Sequence, residues 1–175
     1  MEATLGVFVD VQNIFLSVQM INGSGRINFN ALLEYIRSIR PSYNIKLLNC
    51  YTCYDPNNDK QRSFMLALGH CGWRVVSKPL KKLPDGSIKA NMDMEMAVDA
   101  LCQAQHCDEI ILVTGDGDFK ALIDVLVSRG KKVTVIGPDK YTSPELILAS
   151  HEFVGLGGIS GLYDLSEFGK DNTQE

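Results

Sequence analysis

Along this chain, short unbroken apolar runs alternate with segments whose apolar residues recur every three to four positions. The runs occupy residues 5–9, 45–54, 73–77, 109–114 and 132–136. A strand that is apolar throughout, rather than at every second residue, is buried on both faces. Such strands, separated by amphipathic helices, predict an α/β fold with a central parallel sheet covered on both sides. The helical stripes are Phe29, Leu32, Leu33 and Ile36 after the capping residue Asn28; Phe64, Ala67, Leu68 and Cys71; Met94, Ala97, Val98 and Leu101; and Phe119, Leu122, Ile123 and Leu126. A further short helix starts near Gln12, and Ser143-Pro144-Glu145 opens another. Gly23-Ser24-Gly25, Pro41, Gly72 and Gly130 end segments, and Asp85-Gly86 closes a small hairpin. Gly155-Leu156-Gly157-Gly158 reads as a flexible turn, followed by an amphipathic piece over 162–168. With 175 residues and no internal repeat, the expectation is one domain over 1–168 and a disordered polar tail over 169–175.

Ligands of an open parallel sheet bind at the carboxyl ends of its strands. Asp10 follows the first run, with Asn13 just beyond; Gly115-Asp116-Gly117-Asp118 follows the fourth. The helix before the fourth strand starts at the same edge and carries Asp93 there. Taken singly, Asp10 ends a strand, Asp93, Asp116 and Asp118 cap helices, and Asn13 is a turn residue. Together they bring carboxylates from separate segments to one rim, where only protonation or a cation relieves their repulsion. An oxygen-rich set without Cys or His suits Mg²⁺ or Mn²⁺, ions that activate water for displacement at a phosphate. Asp99, six residues or about 1.7 turns after Asp93, faces elsewhere if both are helical; it stands as an alternative or outer ligand, or as a structural acid.

Net charge is −4, yet the stretch 74–89 holds Arg74, Lys78, Lys81, Lys82 and Lys89 against one acid, Asp85. Such a stretch serves to hold phosphates, or equally forms a solvated loop. The five cysteines are odd in number, and Cys50 and Cys53 sit inside a strand pattern where residues three apart face opposite ways, so buried hydrophobes are expected rather than zinc ligands. No apolar run approaches the roughly 20 residues of a membrane span. The start Met1-Glu2-Ala3-Thr4 is unlike a signal peptide, so a cytoplasmic protein without membrane association is expected.

Other chemistries fail on particular residues. Gly115 and Gly117 lack the third glycine of a dinucleotide fingerprint. Gln12 stands where an aspartate-nucleophile phosphatase needs its second Asp, and Ser77-Lys78 where a receiver domain needs one. A calcium loop starting at Asp55 would have Lys60 and Leu66 in place of its Gly and Glu. His70, His106 and His151 are scattered and form no evident base.

The strings Val7-Phe8-Val9-Asp10-Val11-Gln12-Asn13, Lys89 with Met92-Asp93 and Val98-Asp99-Ala100-Leu101, and Ile111-Leu112-Val113-Thr114-Gly115-Asp116-Gly117-Asp118-Phe119 resemble the NYN domain (LabA-like) family of PIN-like nucleases. The resemblance spans about 5–136, in order. It implies a sheet of strand order 3-2-1-4-5 and a divalent-metal ribonuclease acting on RNA. It further implies an acidic site of Asp10, Asp93, Asp116 and Asp118, Asn13 as the accompanying polar residue, and Lys89 ahead of the helix acid. Lys78, Lys81 and Lys82 would join Lys89 along the RNA backbone. PIN-like relatives carry their helix acid nearer the fourth strand, which makes Asp99 the competitor of Asp93. Val11 and Ala90-Asn91 stand where many members have glycine, and Asn can take left-handed geometry. The alternative from another class is a non-catalytic RNA- or protein-binding module. An exposed apolar patch of Leu156, Ile159, Leu162 and Phe168 would favour that role, or a homodimer. An enzyme of the toprim type ranks lower, since it wants Glu where Asp10 stands.

Overall fold

The computed structural model describes residues 2–23, 26–82, 84–86, 88–89 and 91–163, without the side chains of Asn22, Lys82, Ile88 and Lys89. Phe168, the rest of the amphipathic piece beyond Tyr163, and the tail lie outside the described residues. Strands β1 (Ala3–Asp10), β2 (Tyr43–Tyr54) and β3 (Arg74–Pro79), a hairpin of β4 (Lys81–Lys82) and β5 (Ile88–Lys89), and β6 (Glu109–Val113), β7 (Lys132–Gly137) and β8 (Glu152–Gly155) alternate with helices. These are α1 (Val11–Asn22), α2 (Phe29–Ile39), α3 (Asp59–His70), α4 (Asp93–Gln103), α5 (Lys120–Ser128) and α6 (Pro144–Ala149). The main sheet is six-stranded, all parallel, in order β3-β2-β1-β6-β7-β8.

The first five positions of that order match the expected 3-2-1-4-5; the sixth strand was not anticipated. Only Phe153 and Val154 in β8 are apolar, too few for a pattern, and the strand exists because the edge of β7 offers it a ladder.

Alternate residues of the strands feed two cores. Leu5, Val7, Val9, Ile111 and Val113 pack under α1, α2 and α3, while Phe8, Ile110, Leu112, Val133 and Val135 pack under α4, α5 and α6. Cys50 joins the first core and Cys53 borders the second, as expected of opposite-facing neighbours. The stripes of α2 and α5 are buried as their spacing requires. Helix α3 buries only Leu68, with Phe64 edge-on to Phe29.

Two expectations are corrected. Helix α4 buries Met96 and Ala100, not the stripe of Met94, Ala97, Val98 and Leu101; Met94 is 72% and Val98 51% exposed. Apolar residues lie almost all round this helix, so spacing alone does not choose a face. The small Ala100 and Ala104 let it settle close to the sheet. Leu156, Ile159 and Leu162 form no exposed patch: all three are buried in the first core beside α2. Among the described residues, no helix is long and apolar enough to cross a membrane.

At the amino end of the sheet, fully buried Glu109 accepts hydrogen bonds from Arg40 (2.8–3.0 Å) and from the Thr134 hydroxyl (2.7 Å). Arg40 also pairs with Glu152, so one guanidinium ties the end of α2 to β6 and β8. The carboxyl end, opposite, is left for chemistry.

Candidate active site

Register sets the geometry. Val9 pairs with Val113, so Asp10, one residue further, stands beside the Thr114-Gly115 turn. Asp10 is 7% exposed, and its carboxylate accepts the Asn13 N–H (3.0 Å), capping α1. The Asn13 side-chain oxygen accepts the Gly115 N–H (2.9 Å), fastening the end of β1 to the loop after β6. Burial, above all, and the nearby Asp93 and Asp116 carboxylates lift the Asp10 pKa to about 6; the Asn13 hydrogen bond acts against them.

The Gly-Asp-Gly-Asp loop is shaped by its neighbours. The buried Thr114 hydroxyl accepts the Asp116 N–H (3.1 Å), and Asp116 in turn accepts the Asp118 N–H (3.0 Å), capping a 3₁₀ turn over Gly117–Phe119. A Cβ on Gly115 would lie 3.1 Å from the Tyr141 carbonyl oxygen, and one on Gly117 2.8 Å from the Ser143 hydroxyl. A side chain at either position would crowd the loop before α6, which lies directly against them.

Asp93 opens α4. Its N–H donates to the Asn91 side-chain oxygen (2.7 Å), and the Asn91 amide donates back to the Asp93 carboxylate. Among the described residues no non-glycine has positive φ, so Asn91 acts through its side chain rather than through left-handed backbone. Burial first, then Asp116, Asp118 and Glu95, raise the Asp93 pKa against the opposing Asn91 hydrogen bond.

One carboxylate oxygen each from Asp93, Asp116 and Asp118 lies within 4.8 Å of the others. None of these acids, nor Asp10, is ion-paired to a Lys or Arg among the described residues. Mutual repulsion that no Lys or Arg relieves among the described residues, and oxygen donors only, fit a hard divalent ion.

Asp99 lies elsewhere. Its carboxylate accepts the hydroxyl of fully buried Tyr51 (2.9 Å) and pairs with Arg74 (3.2 Å). Lys78 is paired to Glu95 at 2.6 Å, Lys81 is exposed on the hairpin, and the side chains of Lys82 and Lys89 lie outside the described residues.

The sequence reading gives neither Asn91 nor Thr114 a part in the site. An Asn two residues before an acidic helix start is the available signal for the first; the second depends on the loop's fold.

The NYN domain family model matches residues 4–157. The chain belongs to the NYN domain family. It is 32% identical over 172 residues to the low amplitude and bright protein LabA of Synechococcus elongatus, covering 93% of this chain and 89% of that protein. A solved structure from Vibrio parahaemolyticus, described as a protein of unknown function, matches with a TM-score of 0.80 at 31% identity, covering 89% of this NYN chain and 93% of that one. NYN domains generally are PIN-like, nuclease-type domains, and this one keeps an acidic group at the expected sheet edge.

Proposed function

We propose that this NYN protein is a divalent-metal-dependent ribonuclease that hydrolyses phosphodiester bonds in RNA. The observation that carries the reading is the meeting of Asp93, Asp116 and Asp118 within 4.8 Å, beside the buried Asp10. In this reading those three acids hold Mg²⁺ or Mn²⁺, with Asp10 completing the set, and Asp93 rather than Asp99 is the ligand from α4. Bound there, the ion supplies Lewis-acid stabilisation of phosphate charge and lowers the pKa of water.

The chain's own groups do the rest. Asp10 is held in place by the Asn13 N–H that its carboxylate accepts. Asn13 holds the Gly115 backbone, and Thr114 holds that of Asp116, so the acids are fixed before substrate arrives. Asn91 fixes Asp93 from behind. The exposed Lys81, together with Lys82 and Lys89 on the same hairpin, supplies charge for RNA phosphates.

The test is cleavage of labelled RNA by the purified full chain with Mn²⁺, compared with Asp116→Asn. Loss of cleavage in the variant supports the assignment; equal cleavage by both proteins rejects it.

A further inference from the structure

Helix α4 meets the sheet through two kinds of contact. Met96 and Ala100 are buried beneath it, and burial of this kind is non-directional. On the flank towards β2 and β3, Glu95, Asp99 and Gln103 stand four residues apart, and so in one row. Each reaches a polar partner. The Glu95 carboxylate accepts from Lys78 (2.6 Å), and the Asp99 carboxylate from the Tyr51 hydroxyl (2.9 Å) and from Arg74 (3.2 Å). The Gln103 side-chain oxygen accepts from the Asn49 amide (3.2 Å), which also donates to the Tyr51 hydroxyl (3.3 Å). On the opposite flank a groove of about 700 Å³ separates Ala97 and Leu101 of α4 from Leu122 and Val125 of α5. That flank leaves the helix room to turn.

The members of the row differ in weight. The pairs Lys78–Glu95 and Arg74–Asp99 are partly exposed and contribute little. Tyr51 is fully buried, so its bond to the Asp99 carboxylate is the strong one.

We infer that Asp99 is a positioning residue: bonded to Tyr51, it fixes the rotation of α4 on the sheet and so the direction in which Asp93 meets Asp116 and Asp118. The inference rests on the metal reading above. Packing of Ala100 brings this face of the helix to the sheet, and the bond sets its angle there. Asp93 is the first residue of α4, about 9 Å along the axis from Asp99. A turn of about 20° carries an atom about 5 Å off the axis through roughly 2 Å, whereas a metal–ligand distance tolerates about 0.2 Å. The side chain of Asn91 does not supply this restraint. Its bonds to Asp93 join neighbours at the start of the helix and travel with it.

The experiment compares the full chain with Tyr51→Phe, Asp99→Asn and Asp99→Ala, and with Thr134→Val as control. Thr134→Val removes a buried hydroxyl of the same kind, the one that donates to Glu109, at the far end of the sheet. Mn²⁺ affinity is read by titration calorimetry, and amide exchange in α4 by NMR in EDTA. Tyr51→Phe and Asp99→Ala should weaken Mn²⁺ binding by at least about tenfold. Asp99→Asn, whose amide oxygen still accepts from Tyr51, should stay within about threefold of the wild type, and Thr134→Val within about twofold although it lowers the melting temperature. The Asp93 and Met96 N–H groups should exchange at least about tenfold faster in Tyr51→Phe and Asp99→Ala, but not in the control. With RNA, kcat should fall while KM holds within about twofold, because the basic hairpin is untouched.

Mn²⁺ affinity no lower in Tyr51→Phe than in Thr134→Val overturns the proposal, and this comparison stands even where Asp99→Ala fails to fold. Asp99→Asn as damaging as Asp99→Ala makes Asp99 a ligand in its own right, and the positioning role is wrong. A wild type that binds no Mn²⁺ means that the metal reading has failed. Exchange then still decides the hold on α4: faster in Tyr51→Phe and Asp99→Ala alone upholds it, unchanged overturns it.

Discussion

Replacing Asp10 by Asn should stabilise the metal-free protein while disabling it. Folding lifts the Asp10 pKa from 3.8 to about 6, which disfavours the ionised form by about 3 kcal/mol at about 1.4 kcal/mol per pKa unit. An amide of the same shape removes that charge and keeps the oxygen that accepts the Asn13 N–H. The sign follows from linkage. An acid whose pKa is raised on folding contributes most below its unfolded value, and that contribution is lost as pH rises towards the folded one. The advantage of Asp10→Asn is therefore small below pH 3.8, grows through the interval, and is complete above about pH 6. Some of the gain is offset, because the buried amide must find partners for its own N–H groups. A net gain of about 1–3 kcal/mol corresponds to a rise of roughly 3–10 °C in a domain of this size. The assay is thermal unfolding in EDTA at mildly acidic and mildly alkaline pH, repeated with MnCl₂. The wild type should gain stability from Mn²⁺, by about 2.7 kcal/mol at one hundred times its Kd, and the variant far less. A variant less stable than the wild type in EDTA above about pH 6, or an advantage that does not change with pH, would refute the electrostatic reasoning.

Asp116→Asn should abolish Mn²⁺-dependent RNA cleavage with the fold intact, checked by gel assay beside circular dichroism. Asn13→Ala leaves the buried Gly115 N–H without its acceptor and should cost about 1–3 kcal/mol; kcat should fall more than Mn²⁺ affinity, which titration calorimetry can separate from turnover. Glu109→Ala leaves Arg40 without its main buried partner, and a loss of about 3–5 kcal/mol is expected in urea unfolding. The same group works in the opposite pH direction to Asp10. Although burial pushes against it, Arg40 and Thr134 hold its pKa below the usual carboxylate value, so its contribution is lost as pH falls through that lowered value. Gly137→Ala drives a methyl group into Thr142 and the Thr114 carbonyl and should destabilise by about 1–3 kcal/mol, with a lower melting temperature and weakened metal response.

Much of this molecule could be read from local pattern, because local pattern reflects forces between near neighbours. Unbroken runs such as 109–114 become central strands since no face of them tolerates water, and Asp10 and Asp116 mark the points where those runs end. Asn28 caps α2 with its own side chain, as its place before the stripe requires. The edge strand β8 has no such signature: its residues are half-buried and become a strand only against β7.

The sequence by itself determined the parallel sheet, the end of it where acids collect, and the segments that carry Asp10, Asp93, Asp116 and Asp118. Only tertiary structure decided between Asp93 and Asp99 as the acid turned towards the others, and it did so through contacts far away in the chain. Tyr51 on β2 and Arg74 on β3 draw Asp99 aside, while Asn91 holds Asp93 at the rim. Spacing along α4 is satisfied by either of its apolar faces. The choice fell to close packing of Ala100 against the sheet, and it left a groove open between α4 and α5, with Asp93 and Asp118 in its lining.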